Sequence, residues 1–406
     1  MAPGPRRRVL WTGVSSVLCV FLCSFFLVPV YPTVSRDLGV GPDLLGLLVG
    51  GGQLFGAALQ IPAGLAADRF GRRPFLVGSL ATTAACQVLR WAPGGVLTFG
   101  MAQAGVGLCL PLIVSSSSAA VADAYAEAGR AQALGMLLAS ANVGQVLGYL
   151  VTGQLAGWLT WRQVSLALTL PPALLTILAF GVPEPSRSQP GTVQEVGLGP
   201  TLRFLIAAAP ASLLAVVALA VAAGNSSTYL LPFVDRGLGL DARATSFLLL
   251  PYVAGSVVLA PLTGRVADRR GARPLMLAWS GTGALAAAGF AFLGPRIAWM
   301  PLCYVLLGGT TGSLTGLAAA RMAELASRPG GPGVGAALGG LRSTQSLGPA
   351  LGPPLAGLIY VEAGFRPAFL ILAAELVAAF AAVAVLAGRP LSVGQVQTTA
   401  DDVAVS

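Results

Sequence analysis

The chain has 406 residues, of which 55% are hydrophobic and 10% are charged, and its mean hydropathy is +0.79. Soluble domains carry charge on about a quarter of their residues, so this composition excludes a soluble domain and indicates a membrane protein. The net charge of +9 comes from Arg, because the chain has no Lys or His, which excludes a Lys-containing ATP-binding loop and His-based nucleophile–base pairs.

The apolar runs predict an all-α membrane protein with twelve spans. A helix needs about 20 apolar residues to cross a bilayer core, and at that length only helices pair all their backbone groups. The first run follows MAPGPRRR and lacks a small-residue cleavage site, so we expect an uncleaved first span rather than a signal peptide. The predicted ranges are 10–31, 44–66, 74–92, 96–122, 131–158, 163–182, 204–231, 244–263, 274–293, 297–320, 333–359 and 367–387.

The placement of Arg predicts that both termini face the cytoplasm. With Arg6, Arg7 and Arg8 inside, sixteen Arg fall on the inner side, seven fall outside, and one, Arg342, falls within a span. Arg90 is among the seven outer ones. This excess is typical of cytoplasmic loops and accounts for the net charge without a nucleic-acid partner. We expect a monomer in the cytoplasmic membrane of the cell.

Polar segments divide the chain into two halves. Residues 1–182 and 204–389 each hold six predicted spans, and the Pro/Gly-rich stretch 183–203 reads as a cytoplasmic linker. We expect the tail, 390–406, to be disordered. The five cysteines lie in apolar runs without His or nearby carboxylates, so they predict neither a metal site nor a disulfide framework, and we expect no cofactor.

The two halves share a sequence repeat. GLAADRFGRRP at 64–74 recurs 200 positions later as GRVADRRGARP at 264–274, and beyond it Gly144 and Gly148 recur 204 positions later as Gly348 and Gly352. Chance similarity of Ala/Leu-rich segments does not readily produce an aligned Asp-Arg-x-Gly-x-Arg-Pro. The repeat therefore predicts two pseudo-symmetric six-helix bundles that rock about a site between them.

Each copy of the repeated motif lies where an even-numbered span meets the next one. Its first glycine suits close helix approach, its second suits a tight turn, and its Asp suits a helix N-terminus. Its Arg can bridge to a carboxylate. We interpret the two copies as a cytoplasmic latch; the alternative, topogenic Arg alone, explains neither the Asp nor the Gly spacing. The predicted gating residues are Gly64, Asp68, Arg69, Gly71, Arg72, Arg73 and Asp123, with Gly264, Asp268, Arg269, Gly271, Arg273 and Glu324.

GLAADRFGRRP closely resembles the signature loop between helices two and three of the major facilitator superfamily, and the resemblance extends from about Leu10 to Ala387. It implies that superfamily's fold, two six-helix bundles around a central cavity with alternating access. By the same resemblance, the residues of the two latches form its cytoplasmic gates.

Span five resembles the antiporter motif of the drug–proton exporter branch. Gly135, Gly144 and Gly148 stand at the motif's spacing, and glycines at i and i+4 form a groove for a partner helix. Tyr149 replaces the motif's Pro, and Met101 replaces an Arg that this branch tends to carry in helix four. In span eleven the matching residues are Gly348, Pro349 and Gly352. The glycine spacing makes export the preferred interpretation, and the two departures keep uptake as the alternative.

The polar residues expected to line the cavity are mostly neutral, which suits a moderately polar or amphipathic solute. Ser and Thr within a membrane helix often bond their own backbone instead. The predicted cavity residues are Tyr31, Gln53, Gln60, Gln103, Asn142, Gln145, Asn225, Tyr229, Tyr252, Arg342 and Gln345. Arg342 lies well inside span eleven and must face protein or water, where it can bind an anionic group or pair with a carboxylate.

Glu375 is the second ionisable residue well inside a predicted span. A buried carboxylate with a raised pKa is what proton coupling requires, so the candidates are Asp68, Asp123 and Glu375, although Glu375 can also serve only helix packing. The sequence thus predicts a secondary transporter that exports small amphipathic compounds and uses protons as coupling ion, not an enzyme. The alternatives are an uptake permease for a neutral solute or organic anion, and a non-transporting sensor or scaffold.

Overall fold

The computed structural model describes residues 3–125, 130–181, 241–293, 298–326, 358–359 and 362–386. Each predicted span that falls within these ranges is helical, whereas predicted span seven, most of span eleven, the linker and the tail lie outside them. Five stretches of the described part are long and apolar enough to cross a membrane: Arg6–Leu38, Gly95–Ser118, Trp161–Phe180, Ala242–Ala267 and Ala272–Leu293.

The first half contributes eight of the described α-helices. They are α1 (Pro3–Phe25), α2 (Tyr31–Leu38), α3 (Pro42–Phe70), α4 (Arg72–Trp91), α5 (Gly95–Ala124), α6 (Arg130–Leu155), α7 (Trp161–Ala167) and α8 (Leu170–Phe180). Predicted span one corresponds to α1 and α2 with a short 3₁₀ turn, Val28–Val30, between them, and span six corresponds to α7 and α8.

The described part of the second half consists of four long helices. They are α9 (Ala242–Arg270), α10 (Ala272–Leu293), α11 (Met300–Ala326) and α12 (Phe365–Leu386), which correspond to predicted spans eight, nine, ten and twelve. Asp241 starts α9 as its N-cap, where its carboxylate accepts a hydrogen bond of 2.8 Å from the backbone N–H of Ala244. Such a cap satisfies a backbone donor that a helix start leaves unpaired.

Span one is broken near its end, although the sequence predicts a single run. Pro29 has no N–H and cannot donate to the carbonyl of Phe25, so the α-helical ladder stops there. The chain continues through the 3₁₀ turn, in which Val30 N–H donates to the Leu27 carbonyl at 3.0 Å, and α2 begins at Tyr31 with Pro32 in its first turn. We refer to residues 26–30 as the break.

The helices alternate in direction, which gives the molecule two distinct ends. At one end, which we call the motif end, Gly71 joins α3 to α4 and Gly271 joins α9 to α10. At the other, which we call the closed end, the C-terminal part of α6 packs on the N-terminal part of α9, where a Cβ at Gly153 would overlap the Ser246 side chain. The break lies at the closed end and also contacts α9.

Equivalent helices of the two halves pack in the same way, which confirms the predicted fold of two pseudo-symmetric bundles. In the first half, α3 crosses α5 so closely that a Cβ on Gly107 would overlap the carbonyl oxygen of Gly52. In the second half, α9 crosses α11, and a Cβ on Gly308 would overlap the carbonyl oxygen of Tyr252. Tyr252 lies 200 positions after Gly52, and Gly308 lies 201 after Gly107.

Candidate functional site

The two motif turns have the same backbone conformation. Gly71 has φ 94° and ψ 160°, and Gly271 has φ 81° and ψ 158°. An L-residue with a side chain rarely adopts such a positive φ, which accounts for the second glycine in each copy of the motif. In the described part of the chain, a Cβ on Gly264 would meet nothing within 4 Å, so the close approach expected of the first glycine has no counterpart there.

The last Arg of each motif copy caps the C-terminus of a helix. Arg73 donates through Nη2 to the carbonyl of Phe180 at the end of α8, and its guanidinium lies 5.9 Å from the centre of the Phe180 ring. Arg273 donates through Nη2 to the carbonyl of Ala384 at 2.9 Å, near the end of α12. A cation at this end of a helix interacts favourably with the unpaired carbonyls and the dipole. The sequence suggests carboxylate partners for the motif Arg; for these two, the structure shows backbone carbonyls.

The predicted gate carboxylates remain predictions. The side chains of Gln60, Asp68, Arg69, Asp123, Asp268 and Glu324 lie outside the described part of the chain, as do the surroundings of Gly64 and Gly135. Arg269 is exposed, and Arg72 is half-buried.

The predicted glycine groove of span five lies against span one. A Cβ on Gly144 would overlap the carbonyl oxygen of Leu18, and one on Gly148 would lie 2.8 Å from the carbonyl oxygen of Leu22. Because any larger residue would push α6 away from α1, these two glycines set the distance between the helices. Gly348, Pro349 and Gly352, the matching residues of span eleven, are outside the described residues.

Aromatic and amide side chains gather where the halves meet near the closed end. Gln145 donates to the Tyr149 hydroxyl at 2.6 Å, and the Phe25 ring meets the Tyr149 ring edge-on at 6.4 Å. Tyr31 and Tyr252 pack on the same apolar cluster, which contains Tyr149 from the first half and Leu248 and Val253 from the second. Tyr149 is buried there and the other four aromatic and amide side chains are half-buried, so flat apolar rings lie beside hydroxyl and amide groups.

Other predicted cavity residues are distributed more widely. Gln53 and Asn142 are half-buried, and Tyr252 donates to the Thr311 hydroxyl at 3.2 Å. Asn225, Tyr229, Arg342 and Gln345 are not among the residues that the structure describes. Hydroxyls in the spans bond their own helix, as the alternative interpretation expects: Ser115 to the Pro111 carbonyl, Ser116 to that of Leu112, and Thr310 to that of Leu306.

Arg90 is the important residue whose burial the sequence does not predict. It is counted with the Arg on the outer side, and it lies in the last turn of α4, at the closed end, with 1% of its surface exposed. Its Nη1 donates to the carbonyl of Cys23 at 2.8 Å, and its Nη2 donates to the Gln103 side chain at 2.6 Å. Gln103, predicted to line the cavity, is therefore buried inside the first half. The available signal is Gln87, one turn earlier on the same helix face, which also donates to the Cys23 carbonyl at 2.8 Å.

Comparison with known proteins places the chain among membrane transporters. The model of the Major Facilitator Superfamily matches residues 14–331 and 213–403. The chloramphenicol resistance protein of Streptomyces lividans is 30% identical over 285 residues, which cover 64% of this chain and 68% of that protein. The inner membrane transport protein YajR of Escherichia coli (strain K12) is 33% identical over 178 residues, which cover 42% of this chain and only 38% of YajR.

A solved structure shares the fold across nearly the whole chain. It is the bacterial homologue of the human lysosomal transporter Spinster, in an inward-facing and occupied conformation. The TM-score is 0.76 at 18% sequence identity, and the match covers 95% of this chain and 96% of that one. At this identity the likeness establishes the fold.

Proposed function

The protein belongs to the major facilitator superfamily, and from that premise we propose that it is a proton-coupled exporter of small amphipathic compounds. The superfamily is a family of membrane transporters and not of enzymes, so transport across a membrane is the premise. The direction of transport, the coupling ion, the class of substrate and residence of a monomer in the cytoplasmic membrane are the proposal.

The packing of α6 on α1 is the observation that carries the export proposal. Gly144 and Gly148 bring α6 against the backbone of span one, and they belong to the segment that resembles the antiporter motif. Because these glycines let the two backbones approach closely, we expect α1 and α6 to move together. The relative named for chloramphenicol resistance, which matches 64% of this chain, supports the same direction of transport.

The substrate class follows from the chemistry near the closed end. The rings of Phe25, Tyr31, Tyr149 and Tyr252 provide apolar faces, and Gln145 with the tyrosine hydroxyls provides neutral donors and acceptors. Such a surface suits an uncharged or weakly polar molecule with an aromatic part. Chloramphenicol, as a neutral amphipathic aromatic compound, is therefore a suitable first test substrate.

Alternating access gives the two ends their roles. We propose that the motif end faces the cytoplasm, in agreement with the Arg distribution, and that rocking of the halves separates α6 from α9 at the closed end. The proton candidates are Asp68, Asp123 and Glu375. Glu375 lies half-buried within α12.

Transport by inverted membrane vesicles tests the proposal. When the protein is present and the vesicle interior is made more acidic than the medium, we expect the vesicles to accumulate labelled chloramphenicol. A protonophore should abolish that accumulation. Gly144→Leu should abolish it as well, because the new side chain would have to displace α1. Gly51→Leu is the matched control, since Gly51 is exposed and a Cβ on it meets nothing within 4 Å in the described part of the chain.

Three outcomes separate the alternatives. Accumulation that persists in the presence of the protonophore contradicts proton coupling but is still consistent with export. Loss of growth on a nutrient after gene deletion, without sensitivity to toxic compounds, indicates the uptake permease for a neutral solute or organic anion. A sensor or scaffold would give neither phenotype and no flux in vesicles.

A further inference from the structure

Arg90 belongs to a hydrogen-bond network that joins four spans at the depth of the break. From α4 it reaches the Cys23 carbonyl on α1 and Gln103 on α5. The neighbouring Gln87 accepts a hydrogen bond of 2.8 Å through Oε1 from Ser165 on α7. The guanidinium also lies over the ring of Phe26, 5.4 Å from its centre. Spans one, three, four and six are therefore tied together within the first half.

The network meets span one at the carbonyl that the broken helix leaves available. The side chains of Gln87 and Arg90 both donate to Cys23 O, and the α-helix ends two residues later at Phe25. Two donors on one carbonyl hold the final turn of α1 in place as the chain leaves the helical path. On the far side of the break, Asp37 in α2 accepts a hydrogen bond of 2.7 Å from the Trp161 indole. Both sides of the break are thus attached to the first half.

The break also contacts the other half. The 3₁₀ turn packs against α6 and against α9, and its Val28 belongs to the apolar cluster that contains Leu248 and Val253 of α9. Closure of this end therefore includes the conformation of the break as well as the meeting of α6 with α9.

Arg90 is a buried charge at a position where the other half of the repeat has an apolar residue. Its Nε is buried without a partner, and the part of the chain that the structure describes places no carboxylate in a salt bridge with it. Phe290 occupies the equivalent position, 200 residues later, and Tyr304 occupies the position equivalent to Gln103. Their rings pack at a centroid distance of 5.0 Å. Since burying a charge is unfavourable and the equivalent position of the second half holds Phe290, Arg90 calls for a functional explanation.

We propose that Arg90 is a positioning residue for transport: by clamping the end of α1 it holds the break in the shape that closes the molecule at the closed end. Without the clamp, the last turn of α1 is free to shift, the turn at Val28–Val30 loses its fit to α9, and the closed state is less populated. The proposal rests on the proposed transport function for its kinetic consequence, but its structural consequence is independent of any substrate.

Distances between spin labels at the closed end test the structural consequence. We would attach labels at Leu97→Cys and Leu302→Cys, which are 73% and 62% exposed in the first turns of α5 and α11. The five native cysteines would be replaced by Ala, which keeps the Cys23 carbonyl. Arg90→Met should shift the distance distribution towards longer values, and Arg90→Met with Gln87→Leu should shift it further. Arg243→Met, which removes an exposed Arg from the first turn of α9, is the control and should leave the distribution unchanged.

Transport rates give the second readout. In proteoliposomes, Arg90→Met should lower the maximal rate about tenfold while changing KM little, as expected for a change in a conformational step. Arg90→Lys keeps the charge but cannot donate to Cys23 O and Gln103 in the same forked geometry, so it should not restore the rate. Arg90→Phe with Gln103→Tyr transplants the aromatic pair of the second half; it should fold like the wild type and still transport slowly.

Two results would overturn the proposal. Unchanged label distances and an unchanged rate in folded Arg90→Met would show that the residue serves only packing. A large increase in KM with unchanged distances would make Arg90 a ligand contact rather than a clamp. If the wild type transports none of the tested compounds, the exporter proposal fails, whereas the label distances still decide the clamp.

Discussion

The two halves of this transporter build the same core position from opposite chemistry. In the first half the position holds Arg90 hydrogen-bonded to Gln103, whereas in the second half it holds Phe290 packed on Tyr304. The surrounding positions are likewise polar in the first half and apolar in the second. Gln87 corresponds to Ala287, and Ser165 corresponds to Phe369, whose ring stacks on Phe290 at 4.9 Å. A repeated backbone therefore accepts either a polar network or an aromatic stack at one place.

Nearer the motif end, the second half has a polar group of its own. In the second half the Trp279 indole donates to the Thr263 hydroxyl at 2.9 Å, and the hydroxyls of Thr263 and Ser313 lie 2.9 Å apart, so that α9, α10 and α11 are linked. The equivalents of Trp279 and Thr263 in the first half are Ser79 and Ala63. The Arg90 network of the first half and the Trp279–Thr263–Ser313 group of the second therefore occupy different positions of the repeated unit. We infer that the duplicated unit keeps its packing while each copy acquires its own polar contacts.

The largest effect is expected when the Arg of the first half is placed at the equivalent position of the second half. Phe290→Arg buries a guanidinium among the rings of Trp299, Tyr304 and Phe369, and Tyr304 stands where the first half has Gln103. An unpaired buried charge costs several kcal/mol, so we expect little folded protein after detergent extraction, measured as the monodisperse peak in size-exclusion chromatography. Phe292→Arg is the control, because Phe292 is 70% exposed near the end of α10 and an Arg there can reach the interface. Equal recovery of the two variants would contradict the prediction.

A smaller but symmetric effect is expected at the glycine crossings. Gly107→Ala and Gly308→Ala each place a methyl group on a facing carbonyl oxygen, that of Gly52 or Tyr252. Overpacking of this kind costs about 1–3 kcal/mol, which should lower the apparent melting temperature of both variants by similar amounts. Gly78→Ala, with open space around it, is the control for the helix preference of Ala and should not lower it. Stability loss in only one half would show that the two crossings are not equivalent.

The general fold follows from the sequence because it depends on local composition. Apolar length and the repeated motif predict the helices and the two bundles, since each span must satisfy its own backbone in lipid. The capping of helix ends by Arg73 and Arg273 is harder to predict. The repeat suggests equivalent partners for both, but only the fold shows that Phe180 and Ala384, 204 residues apart, are those partners.

The burial of Arg90 is only weakly signalled in the sequence, by Gln87 on the same helix face, for a related reason. An Arg in the last turn of a predicted span can extend to the interface, so its position along the chain suggests exposure. Its direction depends on which face of α4 packs inwards, and that face is set by contacts with α1 and α5. The break at Pro29 has a local cause, yet its contact with α9 depends on how the halves meet.

The two Arg caps test whether the motif ends of the two halves are equivalent. Arg73→Ala and Arg273→Ala each remove a cation from a helix C-terminus, which is worth about 0.3–1 kcal/mol. The last turns of α8 and α12 should therefore exchange amide hydrogens several-fold faster, measured by mass spectrometry. The effect should be larger at α8, because Arg73 also stacks on Phe180. Arg265→Ala, which removes an exposed Arg of α9, should leave both turns unchanged, and faster exchange there would point to a global loss of stability.

The smallest effect separates hydroxyls that link helices from hydroxyls that bond their own helix. Thr263→Val removes the acceptor for Trp279 and the partner of Ser313, so we expect a loss of about 1 kcal/mol in unfolding free energy. Ser115→Ala removes only bonds to the carbonyls of its own helix and should be close to neutral. Denaturation of the two variants in the same detergent measures the difference. A neutral Thr263→Val would mean that this polar link of the second half contributes nothing measurable to stability.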